Sequence, residues 1–295
     1  MEPKRGESSG HGLFAGLTEG LFAARGAAAP PNQIGMRSRP FWEASGNCTT
    51  GRLLGRKALI VGGNAGMGRA AAIAFAREGA DVAVNYPPAQ QSEADDVVQL
   101  IRHAGRKAVA LPGELEDEAF CNRLVVDAAR ELGGLDILVT NASRQQAIAD
   151  IAEMSTEQFD ATFKANIYAM FWLTKAALPH MGPGSSIINT SPLKGEDPSD
   201  ILLDYSATKG AIMVFTKSLA KQLAHRGIRV NAVTPGPIWT PLPPGGEEAA
   251  GRRAEFEADE TVEDRTGSME LASTYVLLAS NESSYATGQI YGAVG

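Results

Sequence analysis

From Gly55 onward, short apolar runs alternate with stretches whose apolar residues recur every three or four positions. The short runs Ala58–Val61, Asp81–Asn85, Lys107–Leu111, Leu135–Thr140, Ser186–Thr190 and Arg229–Val233 read as strands. Between them, Gly68–Glu78, Glu93–Ala104, Ala119–Leu132, Thr156–Leu178 and Tyr205–His225 carry helical periodicity. A last helix at Met269–Ala279 precedes a strand near Gln289–Ala293. Regular alternation of strand and helix implies right-handed crossovers and a parallel sheet covered on both faces, a single α/β domain over residues 55–295. No internal repeat points to a solenoid.

Two segments depart from this rhythm. Residues 1–54 are rich in Gly, Ala, Ser, Pro and Arg and lack periodicity, so they read as an N-terminal extension, partly disordered or wrapped over the domain or a second subunit. Within it, Gly12–Ala29 is mildly apolar but broken by Glu19 and Arg25, and it lacks the pattern of a signal peptide. The segment Thr156–Leu178 is apolar around much of its girth, with Phe159, Phe163, Ile167, Met170, Phe171, Trp172 and Leu173. It is either a deeply buried crossover helix or one that also faces another subunit.

Composition narrows the function classes. Over 295 residues, 44% hydrophobic and 21% charged residues match an ordinary globular protein. A net charge of −7 argues against nucleic acid or an anionic membrane as partner, and no run is apolar enough to span a bilayer. Cys48 and Cys121 make no disulfide framework, which points to a reducing cytoplasm. His11, His103, His180 and His225 show no metal-ligand spacing, so no metal is expected.

The clearest chemical motif follows the first strand: Gly62, Asn64, Ala65, Gly66, Met67 and Gly68 lie between Val61 and a helix. Glycine allows the backbone to turn tightly and approach a pyrophosphate where a Cβ would intrude. The helix then directs free N–H groups and its positive dipole end at the phosphates. Strand, glycine turn and helix in this order predict a Rossmann-type, doubly wound dinucleotide fold. The second strand ends at Val84-Asn85-Tyr86, with no carboxylate to hold the ribose hydroxyls of NAD, and Arg69 lies just past the turn. Both features favour NADP(H) over NAD(H). Tyr86 either stacks on adenine or caps the strand.

With these motifs in place, residues 55–295 resemble the short-chain dehydrogenase/reductase family. Besides the glycine turn, the likeness rests on Leu135-Asp-Ile-Leu-Val-Thr-Asn-Ala142, Lys164-Ala-Asn166, Tyr205-x-x-x-Lys209 and Arg229-Val-Asn-Ala-Val-Thr-Pro-Gly236. The chain is especially similar to the branch with an N-terminal extension and the stretch Pro235–Pro241, which resembles NADP(H)-dependent aldehyde or alcohol oxidoreductases. The resemblance implies hydride transfer between a nicotinamide and a small carbonyl or alcohol, in a homotetramer or homodimer. It implies Tyr205 as general acid, Lys209 one helical turn on to favour the phenolate and reach the nicotinamide ribose, and Asn166 to maintain a water chain to the lysine. It also places Glu114, Leu115, Asn141, Ala142, Pro235, Gly236 and Ile238 along the cofactor.

The family's catalytic serine, thirteen residues before the tyrosine, is Pro192 here. Ser191 adjoins it, but successive strand residues point to opposite faces, so Ser191 replaces it only if the backbone slips or bulges. Lys194 is a further candidate donor. Ser191, Pro192 and Tyr205 are therefore the expected substrate contacts. Loss of such a donor costs roughly 10²–10³ in rate by analogy with an oxyanion hole. Val61, Thr140 and Ser143 are further departures from the family's usual residues. Three readings thus stand: an NADP(H)-dependent oxidoreductase, a redox-impaired relative that binds nucleotide for a non-redox, regulatory or structural role, or an interaction module built on the N-terminal extension. The acidic loop to Ser268 reads as a lid over the site.

Overall fold

The computed structural model describes residues 50–191, 200–235 and 271–293. Among these residues, seven strands form one sheet: β1 (Lys57–Val61), β2 (Asp81–Tyr86), β3 (Ala108–Pro112), β4 (Ile137–Thr140), β5 (Ser186–Thr190), β6 (Arg229–Pro235) and β7 (Ile290–Ala293). Their order is β3-β2-β1-β4-β5-β6-β7, with every pairing parallel. The chain reverses its direction of winding between β1 and β4, where a doubly wound sheet opens its crevice at the strand C-termini.

Among the described residues, seven α-helices flank the sheet: α1 (Gly66–Arg77), α2 (Gln91–His103), α3 (Glu118–Leu132), α4 (Thr156–Phe163), α5 (Ala169–Ala177), α6 (Leu203–Leu223) and α7 (Ala272–Ala279). Both sheet faces are apolar because both are covered. In β1, Ala58 and Ile60 join Phe75, Val82 and Tyr275 in one core cluster, while Leu59 and Val61 join Leu138, Leu173 and Leu219 in the other. Period-two alternation with apolar residues on both sides produces the unbroken hydrophobic runs seen in the sequence. At the start of α3 a side chain supplies the missing acceptor: Asp117 accepts from the N–H groups of Ala119 and Phe120.

The sequence pattern located the elements, and the boundaries differ by up to two residues; the expected start of the last helix, Met269, lies outside the described residues. The largest difference lies in Thr156–Leu178, which is not one regular helix. Between α4 and α5 the backbone widens into a π turn at Lys164–Tyr168, where the N–H of Ala169 donates to Lys164. The amide of Asn166 there is committed to the chain beyond β4, which accounts for the extra residue in the turn. The girth of this segment is divided: Met170 and Leu173 are buried, whereas Phe159, Tyr168 and Phe171 are exposed.

At the other end of the described chain, Leu53 is fully buried in the core beside Phe75. Its N–H donates to Glu78 O at 2.9 Å, and Arg52 forms a 2.9 Å ion pair with the Glu78 carboxylate. The last residues of the segment read as an extension are thus tied to the domain, and residues 1–49 lie outside the described residues.

Candidate active site

The C-terminal edge of the sheet gathers the residues singled out by the sequence. Gly62 leaves β1 with φ +71°, and a Cβ there would meet the Ala142 backbone at 2.8 Å. Gly68, inside the first turn of α1, packs so closely that a Cβ would lie 2.0 Å from Gly62 O. Asn141 and Ala142 both donate their N–H groups to Val61 O, and Asn141 Nδ2 reaches Gly62 O at 3.3 Å. The crevice between β1 and β4 therefore has bare backbone on both sides.

The start of α1 is equipped for an anion. Its N-cap, Ala65, makes no side-chain cap bond, and its first turn contains no acidic residue, so neither the backbone donors nor the positive dipole end is neutralised from within. Asn64 is tied to Gln90 at 2.5 Å. Met67 faces Tyr275, whose hydroxyl is 4.0 Å from its sulfur. Arg69 forms a 2.6 Å ion pair with Asp96 of α2.

Asn85 and Tyr86, at the end of β2, are each 1% exposed. Asn85 donates to the carbonyls of Leu111 and Gly113, and its own carbonyl accepts from Gly63, so it stitches the ends of β2 and β3 to the glycine turn. The Tyr86 hydroxyl bonds Gln91. Glu114 is exposed and Leu115 half-buried in the turn beyond β3.

Across the crevice stands α6, which carries Tyr205 and Lys209 one turn apart, both almost fully buried. Lys209 Nζ lies 4.6 Å from the Tyr205 ring centroid and 3.1 Å from Oγ of Ser143. Burial brings the lysine pKa down to about 7, with no acid partner among the described residues to oppose it. Burial pushes the Tyr205 phenol up to about 12, against a hydrogen bond with Ser143 that pulls it down.

Buried polar bonds fix this pair. Asp204, fully buried, accepts from Thr162 Oγ1 at 2.6 Å and from the Tyr205 N–H at 2.7 Å. Asn166 accepts from Arg144 N and donates to Arg144 O and to Thr208 Oγ1, while Thr208 donates to Tyr205 O. Ser191, at the end of β5, is fully buried, and its hydroxyl donates to Lys209 O at 2.8 Å. Pro235 closes β6 as a buried residue, while Pro192, Lys194, Gly236, Ile238 and the acidic loop to Ser268 lie outside the described residues.

Three contributors were missed in the sequence reading: Asp204, Thr208 and the Ser143 contact. Ser143 alone carried a signal, as a serine where the family usually has glycine. By contrast, Cys121 has no place in the chemistry: burial, with Asp117 and Glu118 nearby, pushes its thiol up to about 12.

A turn that only glycine fits, an uncapped helix start and a buried ammonium without an acid partner together suit a dinucleotide, with its pyrophosphate at α1 and its nicotinamide ribose near Lys209. Residues 61–293 match the family model described as Enoyl-(Acyl carrier protein) reductase. The chain belongs to the short-chain dehydrogenase/reductase family.

Among its relatives, uncharacterized oxidoreductase YhxD of Bacillus subtilis (strain 168) is 52% identical over 249 residues, covering 83% of each chain. NADPH-dependent aldehyde reductase 1, chloroplastic, of Arabidopsis thaliana is 39% identical over 269 residues, covering 89% of this chain and 93% of that protein. A short chain dehydrogenase from Burkholderia cenocepacia J2315, solved in complex with NADP, shares 31% identity at a TM-score of 0.74, over 83% of this chain and 98% of that one. Among the described residues, no helix is long and apolar enough to cross a membrane.

Proposed function

We propose that this chain is an oxidoreductase transferring hydride between NADP(H) and a small carbonyl or alcohol. The observation that carries the reading is the buried Tyr205–Lys209 pair, whose lysine meets Ser143 in the chain that leaves β4 at the crevice. NADPH, when bound, supplies the hydride. Tyr205 gives its proton to the substrate oxygen as the carbonyl is reduced, and the same phenolate takes a proton in the reverse direction. Lys209 favours the phenolate and offers its ammonium to ribose hydroxyls, which in turn favours its charged form. Asn166 and Thr208 keep α6 in register with the chain beyond β4. NADP(H) is preferred because β2 ends in the neutral, buried Asn85 and Tyr86 rather than a carboxylate, with Arg69 on the adjoining helix. The reading includes a homodimer or homotetramer, in keeping with the exposed Phe159, Tyr168 and Phe171; light scattering on the purified chain tests it.

A second reading is a nucleotide-binding relative without redox turnover. It is favoured by Pro192 in place of the family's serine and by the commitment of the Ser191 hydroxyl to Lys209 O. One set of assays separates the two: NADPH and NADH titrated by fluorescence, then a panel of small carbonyls with wild type, Tyr205→Phe and Pro192→Ser. The first reading expects turnover in the wild type and a fall of about 10²–10⁴ in Tyr205→Phe with NADPH still bound. Unchanged turnover in that variant would remove Tyr205 from the chemistry. Turnover in Pro192→Ser alone would establish the second reading.

A further inference from the structure

The three residues after β4, Asn141-Ala142-Ser143, run along the crevice, and the first two are accounted for by their contacts with the glycine turn. Ser143 is not. Its half-buried side chain reaches the opposite wall, where Oγ accepts from Lys209 Nζ at 3.1 Å, and the same hydroxyl pulls the Tyr205 phenol down against the rise that burial causes. A serine has one proton to donate and lone pairs to accept with, whereas an ammonium can only donate. With the lysine bond accepted at Oγ, the serine O–H is left for the tyrosine oxygen.

We propose that Ser143 is a positioning residue of the Tyr205–Lys209 pair, its hydroxyl linking the lysine ammonium to the tyrosine oxygen. The proposal rests on the reading of Tyr205 and Lys209 as the proton-transfer pair. When Tyr205 gives its proton to the substrate oxygen, the phenolate left behind accepts from Ser143, and Ser143 still accepts from Lys209. The serine ends with the proton it began with, so it orients and stabilises the pair without being consumed.

Two observations set Ser143 apart from a loop residue that merely fills space. The adjoining Arg144 is held by both its N–H and its carbonyl to Asn166, so the loop is anchored without Ser143. The other serine nearby, Ser191, has its hydroxyl engaged by Lys209 O on the helix backbone. Around the lysine, Tyr205 is the titratable neighbour on its own helix, the chain after β4 contributes Ser143 to the ammonium, Ser191 just past β5 meets the backbone carbonyl, and no acid among the described residues pairs with it.

The test uses the full chain as Ser143→Ala and Ser143→Thr. Lys209 is followed by 13C NMR of its side-chain methylenes as pH is varied, with Lys209→Met identifying the resonance. An accepted hydrogen bond favours the ammonium, so Ser143→Ala should lower the lysine midpoint by about 0.5–1 pH unit and Ser143→Thr should restore it. In carbonyl reduction, Ser143→Ala should lower kcat about tenfold at unchanged NADPH affinity. A lysine midpoint equal to that of wild type in a normally folded Ser143→Ala overturns the proposal, whatever the turnover. A shifted midpoint in a chain that turns over no carbonyl supports the Ser143 link and overturns the redox reading instead.

Discussion

Gly68→Ala places a Cβ 2.0 Å from Gly62 O and 2.9 Å from both Gly62 C and Asn141 Nδ2, inside the 3.0 Å below which such contacts are essentially never found. The neighbour at 2.0 Å is backbone of the glycine turn and cannot swing aside as a flexible side chain would. The turn must therefore retreat from α1 by about 1 Å, an overpacking strain of about 1–3 kcal/mol. Alanine returns about 0.5–1 kcal/mol of helix propensity inside α1, leaving a net loss of up to about 2.5 kcal/mol. For a domain of this size that lowers Tm by up to roughly 10 °C. The displaced carbonyl belongs to the wall that would cradle a pyrophosphate, so the NADPH Kd should rise by about tenfold, equivalent to about 1.4 kcal/mol.

Scanning calorimetry and NADPH fluorescence titration read the two effects separately. Gly210→Ala is the control: Gly210 lies within α6, nothing stands within 4 Å of its added Cβ, and the variant should gain about 0.5–1 kcal/mol. If Gly68→Ala matches wild type in both Tm and Kd, the close approach of α1 to the turn is not what this position requires glycine for.

Other consequences are equally direct. Asp204→Ala leaves the buried Thr162 hydroxyl and Tyr205 N–H without their acceptor, which should cost about 2–4 kcal/mol in denaturant titration and lower kcat through the displaced tyrosine; wild-type stability would refute it. Burial pushes the Glu78 carboxyl up, but hydrogen bonds from Arg52 and Thr50 outweigh it and hold the net pKa below 4.5. The folded state therefore favours the carboxylate, and its stabilisation is fully present above pH 4.5 and lost as pH falls through the folded value. Glu78→Gln should accordingly cost about 1–2 kcal/mol near neutral pH, with the gap to wild type closing in acid; a gap that does not change with pH would refute the assignment.

How much of this molecule was legible beforehand depended on distance along the chain. The strands and helices follow from relations between residues two, three or four apart, which is the range of backbone periodicity. Gly62–Gly68 and Tyr205–Lys209 are local in the same sense: each is a short segment whose chemistry follows from one turn of backbone. The position of Asn166 was legible as a motif, but the π turn around it was not, because its cause lies at Arg144, 22 residues earlier. Ser143 meets Lys209 across a separation of 66 residues, and Asp204 meets Thr162 across 42. No periodicity encodes such pairs.

Taken alone, the sequence determined the parallel α/β order, the glycine turn and the family, because local propensity and hydrophobic alternation suffice for these. The tertiary structure decided which hydroxyl reaches the lysine, which carboxylate holds the tyrosine and why Ser191 is occupied. Those contacts exist only after a doubly wound sheet has brought the ends of β1, β4 and β5 to one edge, where residues far apart in the chain meet in a buried space that leaves few polar groups without partners.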